Sequence, residues 1–215
     1  MLSSRQILDL LADRSSMRIG RIRAVRRSAT HLPPAVRAFL DDLETQEAPS
    51  HEKYTHPADR AGRSSHGQKA LEPSDLAWIA RLPTDPAQVS FADAERVAQL
   101  AANVDPVRHP SDRNLVDSVW KPIKEAHDRR AAEVALRNSS RALPAVPSSA
   151  LTALGTAIAT ETPALSDQEA LSRAGDALRS HRANQEATRQ RAIDQAKATI
   201  ASVDQASTSR QAVVA

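Results

Sequence analysis

The residue types best suited to metal chemistry crowd one short stretch of the chain. Three histidines and two acids lie between residues 51 and 66: His51, Glu52, His56, Asp59 and His66. Their spacing matches neither a helical i, i+4 zinc pair nor a zinc ribbon, and a polar, breaker-rich segment offers no support for ligands. We therefore expect a solvated segment and no metal site. The sequence also has no cysteine, which excludes thiolate zinc sites, iron–sulfur clusters and cysteine nucleophiles.

A second histidine position bears on catalysis. His127 lies on the apolar stripe of a predicted helix, close to Glu125 and Asp128. We expect it to be a hydrogen-bonded histidine at the edge of a core, not a catalytic base. The sequence contains no phosphate-binding loop, dinucleotide-binding, zinc-protease or nucleophile-elbow motif, and its five glycines leave few positions for tight catalytic turns. The expectation is a protein that is not an enzyme and needs no cofactor.

The most unusual stretch of the sequence is basic. Residues 14–27 contain no acid and six arginines: Arg14, Arg18, Arg21, Arg23, Arg26 and Arg27. On a helical wheel these arginines surround the axis, so the segment lacks the clean apolar face of a membrane-surface helix, and strand alternation fails as well. Cations on all sides suit an arm that lies among phosphates. We predict that these arginines bind a nucleic-acid backbone, RNA or DNA, without reading base sequence.

The charge distribution supports an anionic partner and leaves alternatives open. Residues 1–72 carry twelve Lys or Arg and nine acids, whereas the remaining residues are balanced. A basic tract on a neutral body favours binding to nucleic acid or to an acidic protein surface. In the alternative hypothesis the protein is a helical adaptor or scaffold that makes protein contacts only. Transit peptides are also rich in Arg and Ser, and one here would place the protein in the mitochondrial matrix; Asp9 and Asp13 count against it.

A second interaction surface is predicted near the C-terminus. Four apolar residues follow a 3-4-3 spacing: Ile193, Ala196, Ile200 and Val203. This is a coiled-coil-like seam of fewer than two heptads, too short to hold a dimer unaided. The seam therefore predicts contact with a protein partner or weak self-association.

The elements that must position these residues are helices. Amphipathic periodicity predicts an all-α fold: a small helical domain, an extended basic N-terminal region, a long, mostly solvated C-terminal helix and flexible linkers. The clearest stripe combines Val36, Phe39, Leu40 and Leu43, and it needs a covering surface. Trp78 and Trp120 are expected to anchor the central unit, and Pro122 should kink or restart its last helix.

Composition along the chain divides it into six segments. They are 1–46 (helices with the arginine-rich arm), 47–70 (flexible linker), 71–141 (three- or four-helix unit), 142–165 (hinge, with a short helix at 149–159), 166–205 (long helix) and 206–215 (disordered tail). No run approaches the length of a membrane span, and no secretory signal is recognisable. We expect a soluble, intracellular, non-enzymatic component of a larger assembly.

Overall fold

The computed structural model describes residues 2–13, 18–28, 31–46, 52–61 and 70–214, with side chains through residue 209. These residues form helices joined by turns and short irregular segments, and they contain no β-strand. The α-helices are α1 (Ser4–Ala12), α2 (Arg18–Ser28), α3 (Pro34–Thr45), α4 (Pro57–Arg60), α5 (Pro73–Ile79), α6 (Phe91–Asn103), α7 (Pro110–Ser140), α8 (Ser149–Glu161) and α9 (Asp167–Val214). A 3-10 helix, Pro86–Gln88, precedes α6. The predicted all-α fold with a long C-terminal helix is confirmed.

Side-chain caps begin three of these helices at the residues that the sequence indicates. Ser3 and Gln6 form a reciprocal capping box before α1, with distances of 2.9 and 3.2 Å. Ser90 accepts the Asp93 N–H at 3.1 Å before α6. Ser166 and Glu169 make a second box before α9. Each cap satisfies amide groups that lack a partner inside the helix.

The chain divides into two compact units, and each contains two separate stretches of sequence. Unit 1 comprises residues 1–51 and 141–191, and unit 2 comprises residues 52–140 and 192–215. Helix α9 contributes its first part to unit 1 and its last part to unit 2.

Helices α1, α3 and α8 build the core of unit 1. The α3 stripe is buried as predicted, and α8 is the surface that covers it. Ala153 and Leu154 of α8 are fully buried, and α8 also contacts α1. The predicted hinge at 142–165 is therefore wrong over α8, although its short helix is confirmed. Small side chains let α8 approach α3 closely, but they give a weak apolar signal in the sequence.

Helices α6 and α7 provide most of the core of unit 2, in which Val97, Val116 and Ile123 are buried. Trp78 and Trp120 pack against this core and are partly buried, as expected of anchors. Helix α7 runs without a restart through Pro122. The apolar stripe of α7 reaches the core on both sides of this proline.

The described part of the predicted linker, residues 52–61, belongs to unit 2. Its helix α4 packs against α6, and Pro57 is fully buried. The His56 Nδ1 accepts the Ala58 N–H at 3.1 Å and caps α4. The prediction of a flexible linker is thus wrong for these residues, because one buried proline and one cap produce no periodic pattern. The remaining linker residues, 47–51 and 62–69, lie outside the described residues.

Helix α9 extends beyond its predicted end. It continues as helix to Val214, so the prediction of a disordered tail from residue 206 is wrong for the backbone through residue 214. Its fully buried side chains in unit 1 are Ala170 and Ala174, and its long middle part is largely exposed. Among the described residues, no helix is both long enough and apolar enough to cross a membrane.

Candidate anion-binding site

The predicted arginine arm is folded where the structure describes it. Arg14 lies outside the described residues, and Arg18 begins helix α2, so this part is helical and not extended. The Arg18 side chain is only 3% exposed and donates to the Leu43 carbonyl at 3.0 Å and to Gln46 Oε1 at 3.2 Å. Burial lowers the pKa of Arg18, and Asp13 opposes that effect. The prediction that Arg18 binds nucleic acid is therefore corrected: its guanidinium holds α2 to the end of α3.

Three other predicted arginines form ion pairs inside unit 1. They are Arg21 with Asp13 at 3.1 Å, Arg23 with Glu44 at 3.0 Å, and Arg26 with Glu44 at 3.1 Å and with Asp41. Arg27 is exposed, and its Nε donates to the Arg23 carbonyl at 3.3 Å. Apart from the Asp13 carboxylate, these side chains are at least a quarter exposed, and surface pairs of this kind contribute only about 0–1 kcal/mol each. The three carboxylates nevertheless neutralise much of the positive charge of α2. Nucleic-acid binding by these arginines stays a prediction.

The predicted C-terminal seam faces its own chain. Ala196 is 4% exposed, and Ile193, Ile200 and Val203 are partly buried. Val203 lines a groove with Glu125 and Asp128 of α7. Nearby, Arg129 of α7 pairs with Asp204 of α9 at 2.6 Å. The seam is thus at least partly buried within its own chain, and contact with another chain stays a prediction.

The residues considered as metal ligands do not converge in the described part of the chain. No group of three His, Asp or Glu side chains there could hold a metal ion, and His51 and His66 lie outside it. Instead, His56 Nε2 lies 3.3 Å from a carboxylate oxygen of Asp128. The His56 Nδ1 accepts the Ala58 N–H, so this nitrogen carries no proton. The neutral ring therefore has its proton on Nε2, which faces the Asp128 carboxylate.

The residues with the most distinctive chemistry meet in a cleft of unit 2, with a volume of about 510 Å³. We call it the basic cleft. Its principal lining consists of three cations (Lys53, Arg60 and Arg130), three aromatic rings (Tyr54, Phe91 and His127) and an apolar wall (Pro86, Ala87 and Val89). None of the described lining residues is acidic. The cleft therefore has a formal charge of +3 from its cations at neutral pH.

Four elements position the basic cleft. Lys53 and Tyr54 precede α4, and Arg60 is its last residue. Phe91 is the first residue of α6, and two residues separate it from the end of the 3-10 helix that carries part of the apolar wall. On α7, residues 127 and 130 lie three positions apart and share one helix face.

We call the three aromatic rings of the cleft, Tyr54, His127 and Phe91, its floor. The His127 ring lies between two others, with its centroid 6.3 Å from that of Tyr54 and 6.1 Å from that of Phe91. A guanidinium lies over each outer ring: Arg60 at 5.4 Å from the Phe91 centroid and Arg130 at 5.9 Å from the Tyr54 centroid. These are cation–π distances, so each outer ring has a cation beside its face.

The protonation of the floor leaves the positive charge of the cleft intact. Burial lowers the pKa of His127, and His56 and Arg130 lower it further, whereas the nearby Asp128 carboxylate opposes them. Burial also raises the pKa of the Tyr54 hydroxyl. Tyr54 therefore keeps its proton, and its hydroxyl forms a hydrogen bond with the Nδ1 of a neutral His127. The prediction that His127 is a hydrogen-bonded histidine at the edge of a core agrees with this geometry.

The basic cleft was not predictable from local sequence because its parts come from different predicted segments. Lys53, Tyr54 and Arg60 belong to the predicted linker, whereas Phe91 and Arg130 belong to the central unit. One signal was available. Tyr54, the only tyrosine, lies between Lys53 and Arg60, and histidines are the only other aromatic residues of this segment. A lone aromatic residue among cations is typical of anion and nucleotide sites.

Comparison with known proteins gives no relative for this chain: no protein family, no curated protein and no solved structure matches it.

Proposed function

We propose that this protein is a non-enzymatic helical interaction component that binds a nucleic-acid backbone, and that the basic cleft makes the principal contacts. The observation that supports the proposal is the convergence of Lys53, Arg60 and Arg130 in one cleft without an acid in its described lining. The arginines of α2, by contrast, have acidic partners within unit 1. An anion therefore meets less competition in the basic cleft than at α2.

Physical chemistry makes phosphate the best-suited partner. Each cation that contacts a phosphate releases condensed counterions, so binding is strong at low salt and weakens as salt rises. Guanidinium groups also match the two oxygens of a phosphate in their geometry. Such contacts are indifferent to base sequence, so the proposal concerns binding to nucleic acids in general.

The proposal assigns the basic cleft to binding and not to catalysis. A general base needs a lone pair within reach of a substrate proton. The Nδ1 of neutral His127 is already engaged in a hydrogen bond with the Tyr54 hydroxyl. His127 therefore combines a lowered pKa with a hydrogen bond to another side chain of the protein, Tyr54.

A matched pair of double variants tests which arginines bind. Arg60→Ala/Arg130→Ala removes two cations of the basic cleft, and Arg23→Ala/Arg26→Ala removes two of α2. Affinity for a fluorescent single-stranded oligonucleotide is measured by anisotropy over a salt series. We expect the cleft variant to bind about tenfold more weakly or worse, since a charged hydrogen bond contributes about 1.5 kcal/mol or more. Its slope of log affinity against log salt should flatten by about 0.7 for each phosphate that the variant no longer binds.

The control distinguishes the two predicted sites. The α2 variant should keep the affinity of the wild type, because its arginines pair with Glu44 and Asp41. A loss confined to the α2 variant would instead support the arginine arm that the sequence predicts. Circular dichroism checks that both variants stay folded.

A second candidate function is a helical adaptor that makes protein contacts only. The observation in its favour is that Arg21, Arg23 and Arg26 have carboxylate partners within unit 1, so their charge does not require a nucleic acid. In this case wild-type protein would not bind the oligonucleotide even at low salt, and neither double variant would change that result.

A further inference from the structure

We infer that the basic cleft holds one unpaired nucleotide, with its base on the rings of the floor and its phosphate on the surrounding cations. This inference rests on the proposed function and specifies its partner: single-stranded nucleic acid or a free nucleotide, as opposed to a duplex. The shared chemistry of both sources is a nucleoside monophosphate unit.

The arrangement of the rings favours a ligand with a flat ring of its own. The Tyr54 and His127 rings are tilted by 30° to each other with centroids 6.3 Å apart, whereas Phe91 meets His127 edge-on, at 85° and 6.1 Å, so the floor offers ring faces in two orientations. Bases of any sequence stack on such surfaces, because every base has a π-face. Binding to backbone phosphate alone requires no aromatic residues, so the rings indicate a base.

The charges lie where the phosphate of a stacked nucleotide would need them. Arg60 and Arg130 lie over Phe91 and Tyr54 at 5.4 and 5.9 Å from the centroids. A base that stacks on either ring therefore shares that ring with a guanidinium, which can move onto the base or to the attached phosphate. Lys53 adds a third cation to the lining. The cleft thus offers both halves of a nucleotide a suitable contact.

The size of the cleft favours an unpaired nucleotide. A volume of about 510 Å³ lies within the usual range of small-ligand sites, about 300–1,000 Å³. A base in a duplex is stacked and paired, and it can enter such a cleft only after it has been extruded from the helix. A single strand or a free nucleotide avoids this cost, so the cleft should prefer unpaired nucleotides.

Two other clefts of unit 2 differ from this one in charge. The groove between α7 and the end of α9 contains Glu125 and Asp128 and no cation in its described lining. The cleft beside Trp120 has one arginine, Arg113, and one acid, Asp59, among alanines. Neither combines an excess of cations with several rings, so the basic cleft is the better candidate for a nucleotide.

The inference is tested with the variant Phe91→Leu, which removes a ring but keeps an apolar side chain. Affinities are measured for a single-stranded oligonucleotide and for a duplex of the same sequence. Wild-type protein should prefer the single strand. Phe91→Leu should weaken single-strand binding about tenfold, in line with the usual effect of losing one stacking ring, and should leave duplex affinity and the salt slope unchanged. Equal losses for both nucleic acids, or no loss for the single strand, would overturn the inference.

A matched control is Trp78→Leu, which removes a ring outside the cleft that also has an arginine over it, Arg96 at 4.2 Å. It should bind both nucleic acids as the wild type does. Failure of the proposed function looks different, because the Arg60→Ala/Arg130→Ala variant would then bind as well as the wild type. The ring test can therefore fail while the backbone test succeeds.

Nuclear magnetic resonance of the wild-type protein gives a second readout that needs no variant. Stacking should shift the ring protons of Phe91 upfield when adenosine 5′-monophosphate or a single-stranded hexanucleotide is added. Shifts with the mononucleotide mean that a free nucleotide is a sufficient ligand, and shifts with the hexanucleotide alone mean that a strand is required. Ring protons that respond to neither ligand, or equally to inorganic phosphate, would contradict stacking.

Discussion

At the scale of single residues, the structure distinguishes charges that hold the fold from charges available to a partner. Arg18 is buried and satisfies the Leu43 carbonyl at the end of α3, so its charge serves the packing of unit 1. Leaving such a carbonyl without its donor typically costs about 1–3 kcal/mol. Arg60 and Arg130 are both exposed, and both border the basic cleft. Equal residue types thus have different roles because their surroundings differ.

The partly buried pair Tyr54 and His127 predicts a dependence of stability on pH. Because burial lowers the pKa of His127 in the folded state, the unfolded chain binds a proton more readily. The contribution of neutral His127 to stability is therefore complete above the unfolded pKa of about 6.5 and is lost as the pH falls towards the lower folded pKa. Acidification below about pH 6.5 should lower the free energy of unfolding of the wild type.

The variant His127→Asn isolates this contribution. An asparagine oxygen can accept the Tyr54 hydroxyl but does not titrate, so urea unfolding of the variant should lose less stability than the wild type does on acidification from about pH 7 to about pH 5. The wild type, measured over the same pH range, is the reference. The same acid-induced loss in His127→Asn as in the wild type would show that other groups are responsible.

At the scale of elements, α7 contains the clearest conflict between local preference and tertiary packing. Proline inside a helix removes one backbone hydrogen bond and its ring clashes with the preceding turn. Even so, α7 runs through Pro122, with Val116 and Ile123 buried on either side of it. Packing against α6 supplies the stability that overrides the local cost.

Replacement of the proline should therefore stabilise the protein. Pro122→Ala restores an N–H that can donate to the Ser118 carbonyl, and it removes a residue that is about 3 kcal/mol less favourable than alanine in a helix. We expect a gain of about 1–3 kcal/mol in urea unfolding, since the packing of the proline ring is lost. Pro110→Ala is the matched control, because Pro110 is the first residue of α7, where no such bond is missing. A destabilised Pro122→Ala would mean that the proline shapes the helix for its neighbours.

At the scale of the whole molecule, each unit is completed by residues that are remote in sequence. The core of unit 1 joins α3 to α8, and the core of unit 2 is a separate cluster that shares no residue with it. The first third of the chain therefore shares its core with the segment that returns after residue 141.

Hydrogen exchange on the full chain tests this organisation. Phe39→Ala removes a fully buried ring from unit 1, at a cost of about 3–5 kcal/mol. Amide exchange should accelerate in α3 and, because α8 covers the same core, in α8 as well. Amides of α6 should keep their protection. Faster exchange in α3 with unchanged α8 would contradict the shared core.

Local sequence determined most of the secondary structure of this protein. The capping boxes at Ser3 and Ser166, the cap at Ser90 and the stripe of α3 all depend on residues within a few positions of one another, so a linear pattern reveals them. The same is true of the all-α class and the long C-terminal helix. These features needed no knowledge of what each helix faces.

Only the tertiary structure decided which faces meet, and with them the candidate site. Arg23 and Glu44 are 21 positions apart, and Tyr54 and His127 are 73 apart, so no periodic pattern could join them. The basic cleft lies where a segment without periodicity packs on α6 and α7, anchored by single residues such as Pro57. Periodicity reports how one helix divides its own surface between core and solvent, whereas a binding site depends on side chains that packing brings together from distant parts of the chain.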